Sequence, residues 1–351
     1  MSKINKLNKQ IDYVLEIRGN GEIHPIFDKQ VHKPYEFNQE KLKDINHHLG
    51  WLDEKRFKGR KDFEYFGGLL FEALFIKRSF NETIWLPLQS DTTLRLRLVF
   101  EKSIKQPTDF IEKVINLPWE FLYYPDGKTF LGTDPRITLS CEYQNWTTKQ
   151  GYAINELPLR ILFVYAQSND LEKVGFSDLV RDKLLEFKNT LDDDKVTLKE
   201  LQNPSIKELR DVFLQHKPHV FHFLGHGTSG KLVLKDVKDG TPLFYGGESL
   251  ADLVRGANIK LVVLQACEGG APLSDSSFSG TAAWLVQQGI PAVVAMRYPI
   301  YQTLAWRFIQ EFYTTLINEQ FSVDRAVQMG RNELSSIVEH AKRYFGAPVL
   351  W

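Results

Sequence analysis

Hydrophobic and polar residues follow two different patterns along the chain. In the first part, Ile11–Ile17 and Leu94–Phe100 place apolar side chains at every second position, which predicts strands with one buried face. Two segments rich in apolar residues, 38–52 and 63–75, have the spacing of helices. Residues 147–158 are polar and predict a domain boundary.

After this boundary the apolar runs become nearly continuous. Leu159–Ala166 is typical of a strand that is buried on both faces. Further strands are predicted at 196–198, 220–224, 259–264 and 292–295, a hairpin at 231–245, and helices at 176–191, 205–216, 248–255, 278–288, 301–318 and 324–339. Such alternation predicts an α/β fold, a mostly parallel sheet flanked by helices over residues 151–351, with a smaller N-terminal α/β domain at 1–150.

Composition and charge narrow the classes of function. The chain has 44 basic and 44 acidic residues and a formal net charge of zero, which argues against direct binding of nucleic acid or of an anionic membrane. Its two cysteines are too few for a disulfide framework and indicate a reducing compartment. The first residues lack the apolar run of a secretory signal, and no apolar run is long enough to span a bilayer. We therefore expect a cytoplasmic protein.

Two reactive side chains follow two of the predicted strands. His226 lies two residues beyond Leu224, and Cys267 lies three residues beyond Leu264. Ligands of open α/β sheets bind outside the carboxyl ends of the strands, so we expect the imidazole and the thiol to share one site. An imidazole can take the proton of a thiol and later protonate a leaving amine, which makes Cys267 a candidate nucleophile and His226 a candidate base.

Gly227 next to His226, and Gly269-Gly270 shortly after Cys267, let backbone N–H groups approach a substrate carbonyl. The N–H groups of Gly227 and Cys267 are the candidate donors of an oxyanion hole. The sequence Gln265-Ala266-Cys267-Glu268-Gly269 differs from a caspase signature only in the residue after the cysteine.

Together with the upstream His-Gly, these residues resemble the CHAT family of caspase-like bacterial proteases, in the clan of caspases, separases and gingipains. Three further segments support the resemblance, which covers residues 90–351: Leu117–Tyr123, Phe130–Asp134 and Phe345–Trp351. Residues 1–90 have no assignable counterpart in the family.

The resemblance implies a caspase-like fold and a cysteine endopeptidase without a cofactor, in which His226 is the base and Cys267 the nucleophile. It further implies a protein substrate, a regulatory or activating protein partner, and a role in bacterial defence or cell death. Residues 1–150 would suit a degenerate caspase-like half that lacks the catalytic pair. The alternative is a catalytically silent pseudoprotease that acts as an interaction scaffold.

Other sequence features favour structural roles. His222 shares a predicted strand face with apolar neighbours and is interpreted as a core or supporting histidine, and Cys141 as a structural thiol. The segment Gly225–Lys231 looks like the start of a phosphate-binding loop, but the strand-like Leu232 follows where Ser or Thr and a helix should stand. A metal site is not expected, because His222 and His226 have only Cys267 as a third ligand.

Members of this clan select the residue before the cleaved bond through a charged pocket. The residues within reach of such a pocket are Gln265, Glu268, Asp275, Arg297 and Tyr298. They include charges of both signs, so the sequence leaves open whether the pocket selects a basic or an acidic residue.

Overall fold

The computed structural model describes residues 9–88, 92–101, 109–144, 157–166, 176–189, 194–225, 227–228, 231–235, 241–255, 257, 259–266, 279–298, 300–318, 322–336 and 343–351. The chain forms two compact units. Unit 1 comprises Met1–Thr147 and Arg331–Gly346, and unit 2 comprises Thr148–Gly330 and Ala347–Trp351. The C-terminal part of the chain therefore contributes to both units.

Unit 1 contains a mixed sheet. Its strands are β1 (Lys9–Ile17), β2 (Glu22–Phe27), β3 (Gln30–Val31), β4 (Tyr35–Glu36), β5 (Thr92–Phe100) and β8 (Ile137–Tyr143). They are arranged in the order β3-β2-β1-β5-β8, with β4 also paired to β2, and β6 (Tyr123–Tyr124) forms a separate short ladder with β7 (Thr129–Phe130). Strands β1, β5 and β8 are parallel, whereas β2 is antiparallel to β1.

The alternation of the predicted strands explains how this sheet packs. Leu15 pairs with Leu98, and Leu98 with Cys141, so that one buried row crosses three strands. The helices of unit 1 are α1 (Lys41–Asp53), α2 (Arg60–Leu74), α3 (Lys77–Phe80) and α4 (Asp109–Ile115), with a 3-10 turn at Trp119–Phe121. The apolar face of α2 buries phenylalanine rings against Phe121 of that turn.

Unit 2 is built on a second sheet that is parallel except for its last strand. Its strands are β9 (Leu159–Ala166), β10 (Val196–Gln202), β11 (Val220–Gly225), β15 (Leu261–Ala266), β16 (Ala292–Met296) and β17 (Pro348–Leu350), in the order β10-β9-β11-β15-β16-β17. A small antiparallel sheet is formed by β12 (Gly227–Thr228), β13 (Lys231–Lys235) and β14 (Pro242–Tyr245). Only β17 runs antiparallel in the larger sheet.

Helices cover both faces of this larger sheet. They are α5 (Phe176–Asn189), α6 (Ile206–His216), α7 (Gly247–Arg255), α8 (Ser279–Gln287), α9 (Gln302–Asn318) and the first part of α10 (Val323–Ser336). Neighbouring residues of a strand point to opposite faces. Phe221 of β11 contacts Phe213 of α6, whereas His222 contacts Tyr313 of α9, so these two helices lie on opposite faces.

The structure confirms the predicted α/β class and most of the predicted elements, with shifted ends. The strand predicted at 196–198 extends to Gln202, and the strand predicted at 259–264 spans Leu261–Ala266. Lys231–Lys235 is a strand, which agrees with the rejection of a phosphate-binding loop. The sequence does not predict strand β2, because its residues show no strong local pattern. Its pairing with β1 defines it as a strand.

Candidate active site

Three neighbouring parallel strands of unit 2 end at the same level. Gly225, the last residue of β11, pairs with Ala166 of β9 on one side and with Ala266 of β15 on the other. Ala166 and Ala266 are also the last residues of their strands. The chains that continue from β11 and β15 therefore leave the sheet from adjacent positions of one edge.

The predicted catalytic residues come directly after these ends. His226 follows Gly225 and Cys267 follows Ala266 in the sequence, and both lie outside the described residues, as do Glu268 and Asp275. Gly227 is the first residue of β12, and its backbone pairs with Leu232 of β13.

Gly225, at the end of β11, is packed closely against its neighbours. A Cβ atom at this position would lie 2.7 Å from the carbonyl oxygen of Ala166 and 2.8 Å from the ring of Phe223. Because ordinary carbon contacts are near 3.5–4.0 Å, the sheet has no room for a side chain here. Glycine is therefore required by the close approach of β9 and β11.

Four residues beside this edge form a buried hydrogen-bonded network. The Nδ1 atom of His222 lies 2.9 Å from the Tyr313 hydroxyl, and its Nε2 atom lies 3.1 Å from Oε1 of Gln265. The Nε2 amide of Gln265 donates to the carbonyl oxygen of Ala305 at 3.2 Å. The network thus joins β11 and β15 to α9 on one face of the sheet.

The chemistry of the partners determines the direction of each bond. The carbonyl of Ala305 can only accept, so the amide nitrogen of Gln265 faces Ala305 and its oxygen faces His222. The Nε2 atom of His222 must then carry the proton, and its Nδ1 atom accepts from the Tyr313 hydroxyl. The neutral imidazole of His222 therefore has a defined tautomer, with its proton on Nε2.

Burial explains the titration behaviour of this network. It lowers the pKa of His222 to about 3, because the charged imidazolium would lose its hydration, and the bond to Gln265 opposes this shift only in part. Burial also raises the pKa of the Tyr313 hydroxyl. Both groups therefore stay uncharged near neutral pH.

The structure places the predicted pocket residue Gln265 in the interior. Its side chain is fully buried, and both of its polar ends are used by His222 and Ala305. It ties the strand that precedes Cys267 to α9 and is not presented to solvent. The sequence pattern indicates the burial of His222. No local pattern identifies Tyr313 as its partner, because the two residues lie 91 positions apart.

Arg297 and Tyr298 follow β16 at the same edge of the sheet. Leu264 of β15 pairs with Ala295 of β16, so the chain beyond Met296 leaves near the end of β15. Tyr298 is buried and Arg297 half-buried, and the backbone N–H of Arg297 donates to Ala347 at 2.7 Å. These two predicted pocket residues therefore lie just beyond the strand that neighbours β15, the strand that precedes Cys267.

Two further features of the described part of the chain bear on the site. No group of three or more His, Cys, Asp or Glu side chains in it could hold a metal ion. Within the same residues, no helix has both the length and the apolar character needed to cross a bilayer. The other cysteine, Cys141, is buried on β8 in unit 1.

A mostly parallel sheet between two helical layers, with a histidine and a cysteine following adjacent strand ends in the sequence, agrees with the expected caspase-like α/β class. The sequence matches the family model of the CHAT domain over residues 107–351, which is well over half of the chain. The chain belongs to the CHAT-domain family. This family is one of caspase-like proteases.

Other comparisons gave more distant similarities. Among curated proteins, none matches the sequence. Two similar solved structures are crystal structures of the Saccharomyces cerevisiae separase–securin complex, at 3.0 and 2.6 Å resolution, with 14% and 13% sequence identity and TM-scores of 0.41 and 0.42. Each alignment covers 90% of this chain but only 22% and 23% of the matched chain, respectively.

Proposed function

We propose that the protein is a cysteine endopeptidase in which Cys267 is the nucleophile and His226 the acid and base. One observation carries this proposal. The residues that precede them, Gly225 and Ala266, are direct partners at the ends of adjacent parallel strands. Neighbouring strands are about 4.8 Å apart. His226 and Cys267 each follow one residue of such a pair, so only a short distance has to be bridged between the imidazole and the thiol.

The proposed reaction follows from the chemistry of the two groups. His226 takes the proton of the Cys267 thiol, and the thiolate attacks the carbonyl carbon of the scissile peptide bond. The tetrahedral intermediate collapses to a thioester when the C–N bond breaks and His226 gives its proton to the leaving amine. A water molecule, deprotonated by His226, then hydrolyses the thioester and regenerates the thiol.

The backbone N–H groups of Gly227 and Cys267 are the proposed donors to the oxyanion of each intermediate. Gly227 begins β12, whose pairing with β13 gives the residue after the base a defined backbone partner. A glycine in this position leaves space for a substrate carbonyl. Loss of one such donor typically lowers the rate by about 10²–10³-fold.

The His222 network supports this arrangement by holding β11 and β15 together close to their carboxyl ends. It connects the strand before His226 to the strand before Cys267 through uncharged groups. Because His222 is neutral, it adds no charge that would shift the pKa values of His226 and Cys267. We assign it a positioning role.

The proposed substrate pocket contains Arg297 and Tyr298 beyond β16, together with Glu268 and Asp275. Gln265 contributes by fixing the end of β15. Arg297 would favour an acidic residue before the cleaved bond, and Glu268 or Asp275 a basic one. A cleavage profile of a peptide library determines which charge is selected.

Membership of the CHAT family supports three broader parts of the proposal. The substrate is a protein, a second protein regulates or activates the enzyme, and the enzyme acts in a bacterial defence or cell-death response.

The test is covalent labelling with a thiol-reactive peptide probe that resembles a substrate. We expect labelling of the wild type and of Cys141→Ser, none of Cys267→Ala, and labelling slowed by about 10²–10⁴-fold in His226→Ala. Persistent labelling of Cys267→Ala would contradict the assigned nucleophile. A folded wild type that reacts with no probe, with or without cell extract, would favour the scaffold alternative.

A further inference from the structure

Unit 1 contains a cavity of about 280 Å³ that has no part in the proposed reaction. Its lining residues are Arg60, Phe63, Thr129, Phe130, Thr133, Asp134, Pro135, Asn332, Ser335 and Phe345. They come from α2, from β7 and its connection to β8, from α10, and from a 3-10 turn at Tyr344–Gly346. Several belong to the segments around Phe130 and Phe345 that the sequence singled out and that the cysteine chemistry leaves without a role.

Aromatic rings form the apolar wall of the cavity. The rings of Phe130 and Phe345 contact each other with centroids 5.2 Å apart. Behind them, Phe121 contacts both Phe345 and Phe63, at 4.9 and 5.5 Å. A Cβ atom at Gly346 would collide with the Phe121 ring, so the backbone is also packed closely here. The wall is therefore preformed.

The polar wall is fixed by its own hydrogen bonds. The Nδ2 amide of Asn332 donates to the carbonyl of Thr133 at 2.8 Å, and the Ser335 hydroxyl donates to the carbonyl of Asn332 at 2.7 Å. The carboxylate of Asp134 accepts from the backbone N–H and the guanidinium of Arg136. The negative charge of Asp134 is thus balanced by a neighbouring cation.

Arg60 supplies the positive charge of the lining. Its guanidinium carbon lies 5.9 Å from the centroid of the Phe130 ring, and its Nε atom donates to Glu64 at 2.6 Å. The two terminal nitrogens of Arg60 have no hydrogen-bond partner among the described residues. This pair of N–H donors matches the two oxygens of a carboxylate.

We propose that the cavity is a docking site for an acidic peptide segment of a partner protein. The peptide inserts one aromatic or large aliphatic side chain against Phe130 and Phe345 and places an adjacent carboxylate on Arg60. The volume lies at the lower end of small-molecule sites, which suits a single side chain better than a dinucleotide-sized cofactor.

The probe for the test is the fluorescein-labelled peptide Gly-Asp-Phe-Asp-Gly, titrated with the full chain and followed by fluorescence anisotropy. Two comparison peptides replace both Asp residues by Asn, or Phe by Ala. We expect both replacements to weaken binding, because the first removes the carboxylate and the second removes the ring.

Two pairs of variants locate the binding site. Arg60→Gln should weaken binding about tenfold, since hydrogen bonds to charged groups contribute on this scale. Arg78→Gln is its control, because Arg78 forms the same type of exposed pair with Glu82 but does not line the cavity. Ser335→Tyr should fill the cavity and abolish binding, whereas Ser336→Tyr, at the next exposed position of α10, should not.

Circular dichroism and thermal unfolding show whether each variant is folded. Undetectable binding at millimolar protein, equal binding of all three peptides, or unchanged affinity in Arg60→Gln would each overturn the proposal. None of these readouts depends on Cys267. Loss of peptide binding and loss of probe labelling are therefore separate results.

Discussion

At the scale of single residues, His222 is the best-defined polar group near the candidate site. Both of its ring nitrogens have a buried partner, Tyr313 on one side and Gln265 on the other. The carbonyl of Ala305 at the end of this network places the proton on Nε2, and burial keeps the imidazole neutral. Protonation would put a charge in the core, and the loss of hydration opposes it.

This lowered pKa predicts a stability that depends on pH. The unfolded chain takes up a proton at His222 near pH 6.5, whereas the folded chain does so only near pH 3. Between these values the unfolded state holds more protons, so the free energy of unfolding falls as pH falls, by about 1.4 kcal/mol per pH unit for this one group. Above pH 6.5 the group adds no pH dependence.

Urea unfolding of the wild type and His222→Asn between pH 4 and 8 measures this contribution. The variant loses the titrating group, so its stability should change less steeply with pH below 6.5. Parallel curves for the two proteins over the whole range would contradict the neutral, buried assignment. The comparison of the two proteins cancels the carboxylates and the other histidines, which titrate in both.

At the scale of elements, the ends of β9, β11 and β15 determine where the reactive segments begin. Period-two alternation and continuous apolar runs are local properties, and they predicted these strands from the sequence. The common level of Ala166, Gly225 and Ala266 is a property of the register between strands. The local sequence pattern does not encode that register. Strands that are buried on both faces lack the alternation of polar and apolar residues that would fix the register.

Replacement of Gly225 tests how closely these ends are packed. Gly225→Ala puts a methyl group against the Ala166 carbonyl and the Phe223 ring, so we expect a loss of about 1–3 kcal/mol of stability from overpacking. We also expect slower probe labelling, since the displaced strand end directly precedes His226. The measurements are urea unfolding and the labelling rate.

Gly68→Ala is the matched control for this substitution. Gly68 lies inside α2, and a Cβ atom there would meet nothing within 4 Å. Alanine in a helix interior is more favourable than glycine by about 0.5–1 kcal/mol, so this variant should be slightly stabilised. Equal effects of the two substitutions would show that Gly225 is not tightly enclosed.

At the scale of the whole molecule, unit 1 is assembled from both ends of the chain. Arg331 begins its C-terminal segment and is fully buried. Its guanidinium lies 3.6 Å from the carboxylate of the equally buried Glu120 and donates to the carbonyl of Leu139 at 3.1 Å. Removal of one partner of a buried ion pair leaves the other charge without compensation.

Arg331→Met should therefore destabilise unit 1 by about 3–5 kcal/mol. Arg78→Met is the control, because Arg78 is 88% exposed and its surface pair should contribute less than about 1 kcal/mol. Thermal and urea unfolding measure both changes. A small effect of Arg331→Met would contradict the contribution assigned to this buried ion pair.

The sequence by itself determined the α/β class, most of the helices and strands, and the positions of a histidine and a cysteine that follow strands. These features depend on local periodicity and on residue chemistry, which neighbouring positions encode. Only the tertiary structure decided the strand order, the pairing of Gly225 with Ala266, the partners of His222, and the place of Arg331–Gly346 in unit 1. Those features depend on contacts between residues far apart in the chain, which form only when the whole core packs together.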